Sequence, residues 1–459
     1  MLNTIGAMVL ARLLTPSEVG VYAVGAVLAA LVQVLRDFGV GAYIIQARTL
    51  DQQQLRAALC VSIVVGWSLA VLVMAGSYAA AWFYREPRLL TVLQLLSINF
   101  VLMPFSAIAL PYLRRQMRFS AVFAINTSQC ATQMLFAVAL AISGWGYLSL
   151  ALGALAGGVA TLLATLCCRP AGLPWLPSWH GVRDIISFGS VSTAGTLIDE
   201  AGVAAPELII GKIAGLAEVG IYGKAMGVIN VFNQLVTAAI SPVIFPLFSA
   251  QAREGRDLRQ AYLTTVSYVT ALAWPFFGFV ALMAAELVHL LYGDQWHAAV
   301  PVIRVICMGS ALYSMFGMAR YLFVAMGEVK AQARLDAMAV PVRVAAVLVA
   351  APFGLYWVGW AVVLGATFRS GLTYFCLRRL IAVRGAELMA AVQRSATVAV
   401  ICLAGVLAVR SLAAAPATQL LAAALVCSLL WLAAIQYVRH ALADECKLAA
   451  RKAWALLHR

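Results

Sequence analysis

Glu18-Val19-Gly20-Val21-Tyr22 and Glu218-Val219-Gly220-Ile221-Tyr222 are one pentapeptide written twice, 200 residues apart, with a single Val-to-Ile change. The correspondence runs on: Arg12 meets Lys212, Leu13 meets Ile213 and Gly25 meets Ala225, and both copies pass from a short polar turn into a long apolar run. An echo at equivalent places of two hydropathy patterns predicts an internal duplication. Duplicated membrane bundles are typical of transporters, whose halves rock around a site.

Composition fixes the class around that repeat. Of the 459 residues 64% are hydrophobic and 11% charged, and the mean hydropathy is +0.93. A soluble domain with that surface would not stay dissolved, so the chain reads as a polytopic membrane protein. Only helices and closed barrels satisfy the backbone in lipid, and the long apolar runs favour helices over the short alternating segments of a barrel. Apolar runs near 1–14, 19–38, 56–82, 89–112, 119–142 and 146–168 make one half. Runs near 185–210, 219–248, 261–291, 298–322, 333–352 and 356–377 make a second, and 393–411 and 417–438 form an extra pair. The expectation is an all-α protein of about 14 spans in two six-helix lobes, residues 1–168 and 185–377. A linker over 169–184, the extra pair within 378–438 and a basic tail over 439–459 complete it.

The loops give an orientation, because Lys and Arg concentrate in short cytoplasmic loops. Arg48, Arg56, Arg114, Arg115, Arg118, Arg169, Arg183, Arg253, Arg256, Arg259, Lys330, Arg334, Arg378, Arg379, Arg384 and Arg394 fall on one side. The tail, with Arg439, Lys447, Arg451, Lys452 and Arg459, lies there too, whereas Arg12, Arg85, Arg88, Lys212 and Arg410 lie opposite. Both termini are predicted to be cytoplasmic, and topology absorbs much of the +14 net charge. The basic residues are scattered over many loops, so no nucleic-acid partner is expected. The repeat places the equivalent of Ser187 about thirteen residues before Met1. The first helix is therefore expected to be short, about 16 Å against a hydrocarbon core of about 30 Å. Either translation starts upstream or this copy has lost half a helix; no cleavable signal is evident.

Searches for enzymatic parts fail. There is no phosphate loop of the G-x-x-x-x-G-K-[ST] kind, and His180, His289, His297, His440 and His458 lack metal-ligand spacing. Most of the nine cysteines sit inside spans or near their cytoplasmic ends, with no disulfide or metal pattern. No cofactor or metal is expected. The linker, with Pro170, Pro174, Pro177, Trp175 and Trp179, reads as interfacial. Pro104, Pro111, Pro242, Pro246, Pro275 and Pro341 lie in or at the ends of apolar runs and are candidate kinks.

Ala11-Arg12-Leu13-Leu14-Thr15-Pro16-Ser17-Glu18-Val19-Gly20, then Asp37-Phe38-Gly39-Val40 and Ile45-Gln46, resemble the start of Wzx-type polysaccharide transporters. Ser187-Phe188-Gly189, Ile210-Gly211-Lys212, Gly220-Ile221-Tyr222, Phe245-Pro246-Leu247-Phe248-Ser249 and Tyr292-Gly293-Asp294-Gln295-Trp296 continue the resemblance in order, over about residues 9 to 380. That family lies in the multidrug/oligosaccharidyl-lipid/polysaccharide exporter superfamily. The resemblance implies two six-helix lobes, a bacterial inner-membrane location and transport rather than catalysis. The cargo it implies is undecaprenyl-diphosphate-linked oligosaccharide, as used for O-antigen, capsule or exopolysaccharide. It also implies membrane lipids, and a polysaccharide polymerase with its export machinery, as partners. A drug/cation antiporter of the same superfamily is the second reading. A membrane-bound polymerase or glycosyltransferase is the third, disfavoured by the short external loops.

Charges inside spans are costly, and mark candidate sites. Arg343 and Arg369 fall near mid-span, Lys224 one turn into its span, Arg304 towards the periplasmic side and Arg36 near the cytoplasmic end. These five are the expected cationic cavity for a diphosphate; the alternatives are snorkelling or pairing with a carboxylate. Asp199, Glu200 and Glu207 cluster in the seventh span, with 200 and 207 on one helical face. They are the candidate ion-coupling site, the alternative being a structural pair such as Glu207 with Lys224.

Overall fold

The computed structural model describes residues 2–37, 39–47, 50–170, 172–412 and 415–443. Contacts divide the chain into two units, Met1–Gly223 and Lys224–Arg459. The first holds α1 (Leu2–Leu13), α2 (Pro16–Asp37), α3 (Val40–Gln46), α4 (Gln52–Tyr84), α5 (Arg88–Leu102), α6 (Pro104–Ala107), α7 (Ala109–Arg115), α8 (Phe119–Ile142), α9 (Tyr147–Cys167), α10 (Val182–Ile213) and the first turns of α11 (Leu216–Arg253). The second holds the rest of α11, α12 (Leu258–Leu282), α13 (Ala284–Leu291), α14 (Ala299–Ser314), α15 (Ala319–Ala325), α16 (Val329–Ala350), α17 (Leu355–Ile381), α18 (Gly385–Arg410) and α19 (Pro416–Tyr437).

Local chemistry explains the helix ends. Thr15-Pro16-Ser17-Glu18 is a capping box: the Thr15 amide and hydroxyl donate to Glu18 Oε2 at 2.9 and 2.8 Å, with proline at the first helical position. Asp51 and Gln54 cap α4 reciprocally. In Asp37-Phe38-Gly39, Gly39 takes φ +64°, a conformation open to glycine at little cost, and turns α2 into α3. Pro104 cannot donate a backbone hydrogen bond, and the chain bends there by 46° between α5 and the helix that follows. By contrast α11, α12 and α16 run on through Pro242, Pro246, Pro275 and Pro341. In the linker the Arg169 guanidinium lies 3.6 Å from the Trp175 ring centroid, and Arg56 of α4 donates to the Leu176 carbonyl at 3.1 Å.

The repeated pentapeptides meet. A Cβ on Gly20 would lie 1.7 Å from the Leu216 carbonyl oxygen, and one on Gly220 would lie 2.3 Å from the Pro16 carbonyl oxygen. Residues 16 and 216 are themselves 200 apart, so the contact is reciprocal, as about a local two-fold axis. Small residues let helix backbones approach this closely.

Ten helices are long and apolar enough to cross a membrane, eleven counting the bent α5–α7 segment, among the described residues. The fourteen read from the sequence exceed this by three. Helix α1 has only 12 residues, α10 carries charges along its length, and part of α11 lies outside the described side chains. Large apolar side chains such as Val71, Leu72, Leu135 and Leu425 are exposed, as surfaces facing lipid require.

A polar knot holds α18 and the end of α19 to α12. His440 is 1% exposed. Its Nδ1 accepts from the Leu442 amide at 3.1 Å, so the neutral ring carries its proton on Nε2, which faces Ser267 Oγ at 3.0 Å and Ser395 Oγ at 3.2 Å. Burial, helped by the nearby Arg394 charge, holds the imidazole below its ordinary value.

Two outcomes are expected. Gly20→Ala and Gly220→Ala force backbones apart, lowering stability by about 1–3 kcal/mol, read as an earlier thermal midpoint of purified protein. The His440 contribution is complete above the unfolded value of about 6.5 and is lost as pH falls through the lower folded value. The thermal midpoint should therefore drop more steeply on acidification in the native chain than in His440→Gln.

Candidate functional site

In the first unit, the end of α2, α3, α6 and α7, with residues of α4 and α10, surround a cavity of about 520 Å³. Arg36, in the last turn of α2, lines it at 9% exposure. Its Nε donates to Asp37 Oδ1 at 3.0 Å, and Nη1 lies against the Met103 sulfur. Arg114, Ser62 and Ser106 line the same space. So does Thr193 of α10, 6% exposed, whose hydroxyl has no partner among the described residues. Two guanidiniums, a carboxylate and three hydroxyls around one cavity suit a ligand bearing negative charge and hydroxyls.

Glu200 and Glu207 stand two turns apart on α10, both half-buried, Glu207 directly after Pro206 within the helix. Neither makes an ion pair among the described residues. The side chain of Asp199 lies outside the described residues, as do Arg48 and the tail cations Lys447, Arg451, Lys452 and Arg459.

The second unit gathers three of the predicted cations at two places. Lys224 sits on α11 with its ammonium 5.3 Å from the ring centroids of both Tyr292 and Trp296. The turn Tyr292-Gly293-Asp294-Gln295-Trp296 builds this seat: Gly293 takes φ +98° and Trp296 is fully buried. A cation over aromatic faces is attracted by their ring quadrupoles. Asp294 instead meets His289 Nδ1 at 2.5 Å on the exposed side of the turn.

Arg343 and Arg369 face each other's helices. Arg343, half-buried on α16, lays its stem against α17 where Gly365 makes room: a Cβ there would lie 3.0 Å from both Arg343 Cβ and Cγ. Arg369 of α17 pairs with Asp336 of α16 at 2.6 Å, and Gln332 Nε2 donates to the other Asp336 oxygen at 2.8 Å. The Arg369 guanidinium also lies 5.8 Å from the Tyr313 ring centroid. Tyr313 lines a cavity of about 280 Å³ with Asn233, Ser310 and Ser314. The sequence reading omitted Asp336. Its signal was available, because Gln332, Asp336 and Arg343 recur at four and seven positions and so share one face. Arg304 is apart from these groups, on an exposed flank of α14 whose neighbours Ile303, Val305 and Ile306 are buried.

Asp336→Asn leaves the half-buried Arg369 without its charge partner. It should cost about 1–3 kcal/mol in thermal unfolding, and a double-mutant cycle with Arg369→Gln should show that the two losses are not additive.

Residues 9–301 match the family model described as "Polysaccharide biosynthesis protein". The teichuronic acid biosynthesis protein TuaB of Bacillus subtilis is 23% identical over 289 residues, covering 60% of this chain and 58% of that protein. The lipopolysaccharide biosynthesis protein WzxC of Escherichia coli is 25% identical over 319 residues, covering 68% and 64%. The succinoglycan biosynthesis transport protein ExoT of Rhizobium meliloti is 23% identical over 316 residues, covering 66% and 62%. The aligned part thus spans about 60% of the length of these relatives. Among solved structures, the lipid II flippase MurJ in an inward closed conformation superposes with a TM-score of 0.81 at 9% identity, over 95% of this chain and 96% of that one. An inward-facing multidrug resistance MATE transporter gives 0.67 at 15% identity, over 83% and 94%. The fold is therefore the one shared by those two groups of membrane proteins.

Proposed function

Since the chain belongs to the polysaccharide biosynthesis protein family, we propose that it carries a lipid-linked oligosaccharide across the bacterial cytoplasmic membrane by alternating access. The family and the fold shared with a lipid II flippase support this reading. The observation that carries it is the cavity at Arg36, where buried positive charge and hydroxyls stand beside open space within a membrane bundle. A diphosphate and its sugars cannot cross hydrocarbon unaided, because neither charge nor hydroxyls can be stripped of water without replacement partners. Arg36 and Arg114 supply counter-charge, and Ser62, Ser106 and Thr193 supply hydrogen bonds to sugar hydroxyls or phosphate oxygens.

In this proposal Arg343 is a second phosphate-facing group, with Arg369, held by Asp336, fixing the face from which it projects. Lys224, seated over Tyr292 and Trp296, serves the cargo near the opposite end of its lobe. Arg304 is the weakest member of the set, because its flank carries none of the other cations. Both termini are cytoplasmic in the proposed orientation. Glu200 and Glu207, with Asp199, exchange the coupling ion, and a half-buried carboxylate with no ion partner among the described residues supports that role. The acidic pair also favours the drug/cation antiporter as the alternative.

The test is the leaflet distribution of undecaprenyl-diphosphate-oligosaccharide in cells lacking the gene. Accumulation in the cytoplasmic leaflet, relieved by the full chain, is expected; an unchanged distribution would favour drug export. Arg36→Gln and Arg343→Gln should each slow flipping roughly tenfold to a hundredfold, the loss of a charge-assisted hydrogen bond of about 1.5–3 kcal/mol. Glu200→Gln with Glu207→Gln should leave cargo binding intact and abolish the dependence of the rate on the ion gradient.

A further inference from the structure

Arg85 and Lys212 lie on the side of the membrane that the topology keeps poor in basic residues, and the fold brings them together. They line one groove of about 880 Å³ in the first unit, with Tyr78, Trp82, Phe83 and Leu90. Arg85 caps the end of α4, and Lys212 stands in the last turn of α10. Lys212 Nζ donates to the Phe83 carbonyl and lies 4.2 Å from the Phe83 ring centroid, which points the ammonium along the groove wall.

Among the described residues no carboxylate pairs with either cation of the groove; Lys212 is met only by the Phe83 carbonyl and ring. The nearest carboxylate in sequence, Glu86, is taken by Arg88, whose Nε and Nη2 donate to its two oxygens at 2.8 and 2.9 Å. That pair is tied to Ser17 of α2 by a third Arg88 bond at 3.0 Å. Arg85 makes no ion pair among the described residues. Beside these cations the aromatic side chains are open: Trp82 is 82% exposed and Tyr78 63%. Exposed tryptophan and tyrosine at the end of a spanning helix, next to arginine and lysine, mark headgroup depth. The wall running back along α4 from Trp82, one turn to Tyr78, leads from that depth towards the acyl chains.

We propose that this groove binds an anionic phospholipid of the surrounding bilayer. Its phosphodiester sits between the Arg85 guanidinium and the Lys212 ammonium, and an acyl chain lies along Tyr78 and Trp82. That the lipid comes from the periplasmic leaflet rests on the orientation proposed above; the ligand chemistry does not. The contact also explains why Arg85 is kept in a left-handed conformation, φ +54°, where glycine would be easier. The guanidinium serves the lipid at the expense of the backbone.

That conflict supplies the test. Arg85→Gly removes the charge and relaxes the backbone, so it does not lose binding by unfolding; Lys212→Met removes the second charge. The purified full chain is titrated with phosphatidylglycerol in zwitterionic detergent, reading the rise in thermal midpoint and lipid retention by native mass spectrometry. Phosphatidylglycerol should stabilise the native chain, while phosphatidylcholine and inorganic phosphate should not. Each variant should weaken phosphatidylglycerol binding about fivefold, with the lipid-free midpoint of Arg85→Gly unchanged or higher. Equal phosphatidylglycerol affinity in the native chain and the double variant overturns the proposal. Stabilisation by inorganic phosphate alone also overturns it, as an anion site without a lipid. Binding that persists in a chain unable to flip oligosaccharide would separate this site from the transport reading.

Discussion

A charge held within a membrane bundle must be met by an opposite charge, an aromatic face or a polar cavity, because hydrocarbon offers nothing in exchange for water. Each of those three solutions occurs here. Arg369 has Asp336, braced by Gln332. Lys224 has the rings of Tyr292 and Trp296. Arg36 has Asp37 and a cavity lined by hydroxyls. These solutions differ in function. A cation paired across two helices is a structural tie. One beside open space retains capacity for a ligand.

The same constraint explains the economy of the backbone. Every described element is helical, as backbone groups in hydrocarbon must be satisfied within their own segment. Where helices must approach closely, a side chain is removed. Gly20 and Gly220 bring the two copies of the repeat into reciprocal contact, and Gly365 gives way to the stem of Arg343. The buried His440 applies the rule at the edge of the bundle, where a neutral imidazole satisfies its donors and acceptors through Leu442, Ser267 and Ser395.

Much of the candidate site was legible as a list and little of it as an arrangement. Hydropathy alone picked out Arg36, Lys224, Arg343 and Arg369, since each interrupts an apolar run. It did not rank them, because partners lie on other helices: Asp336 is 33 residues from Arg369, and Tyr292 is 68 from Lys224. Thr193, Ser62 and Ser106 left no signal, for single hydroxyls are common in membrane helices. Arg304 differs from these: its neighbours are buried, but its own side chain lies on the exposed flank of α14.

The sequence by itself determined the all-helical membrane class and the family. These follow from composition and from the order of motifs along the chain, both of which are linear properties. Only the tertiary structure decided that Gly20 lies on Gly220, that Arg369 is neutralised, and that Arg85 and Lys212 share one groove. Such meetings depend on which faces of distant helices pack together, and that is set by side-chain volume across the bundle rather than by any spacing along one helix.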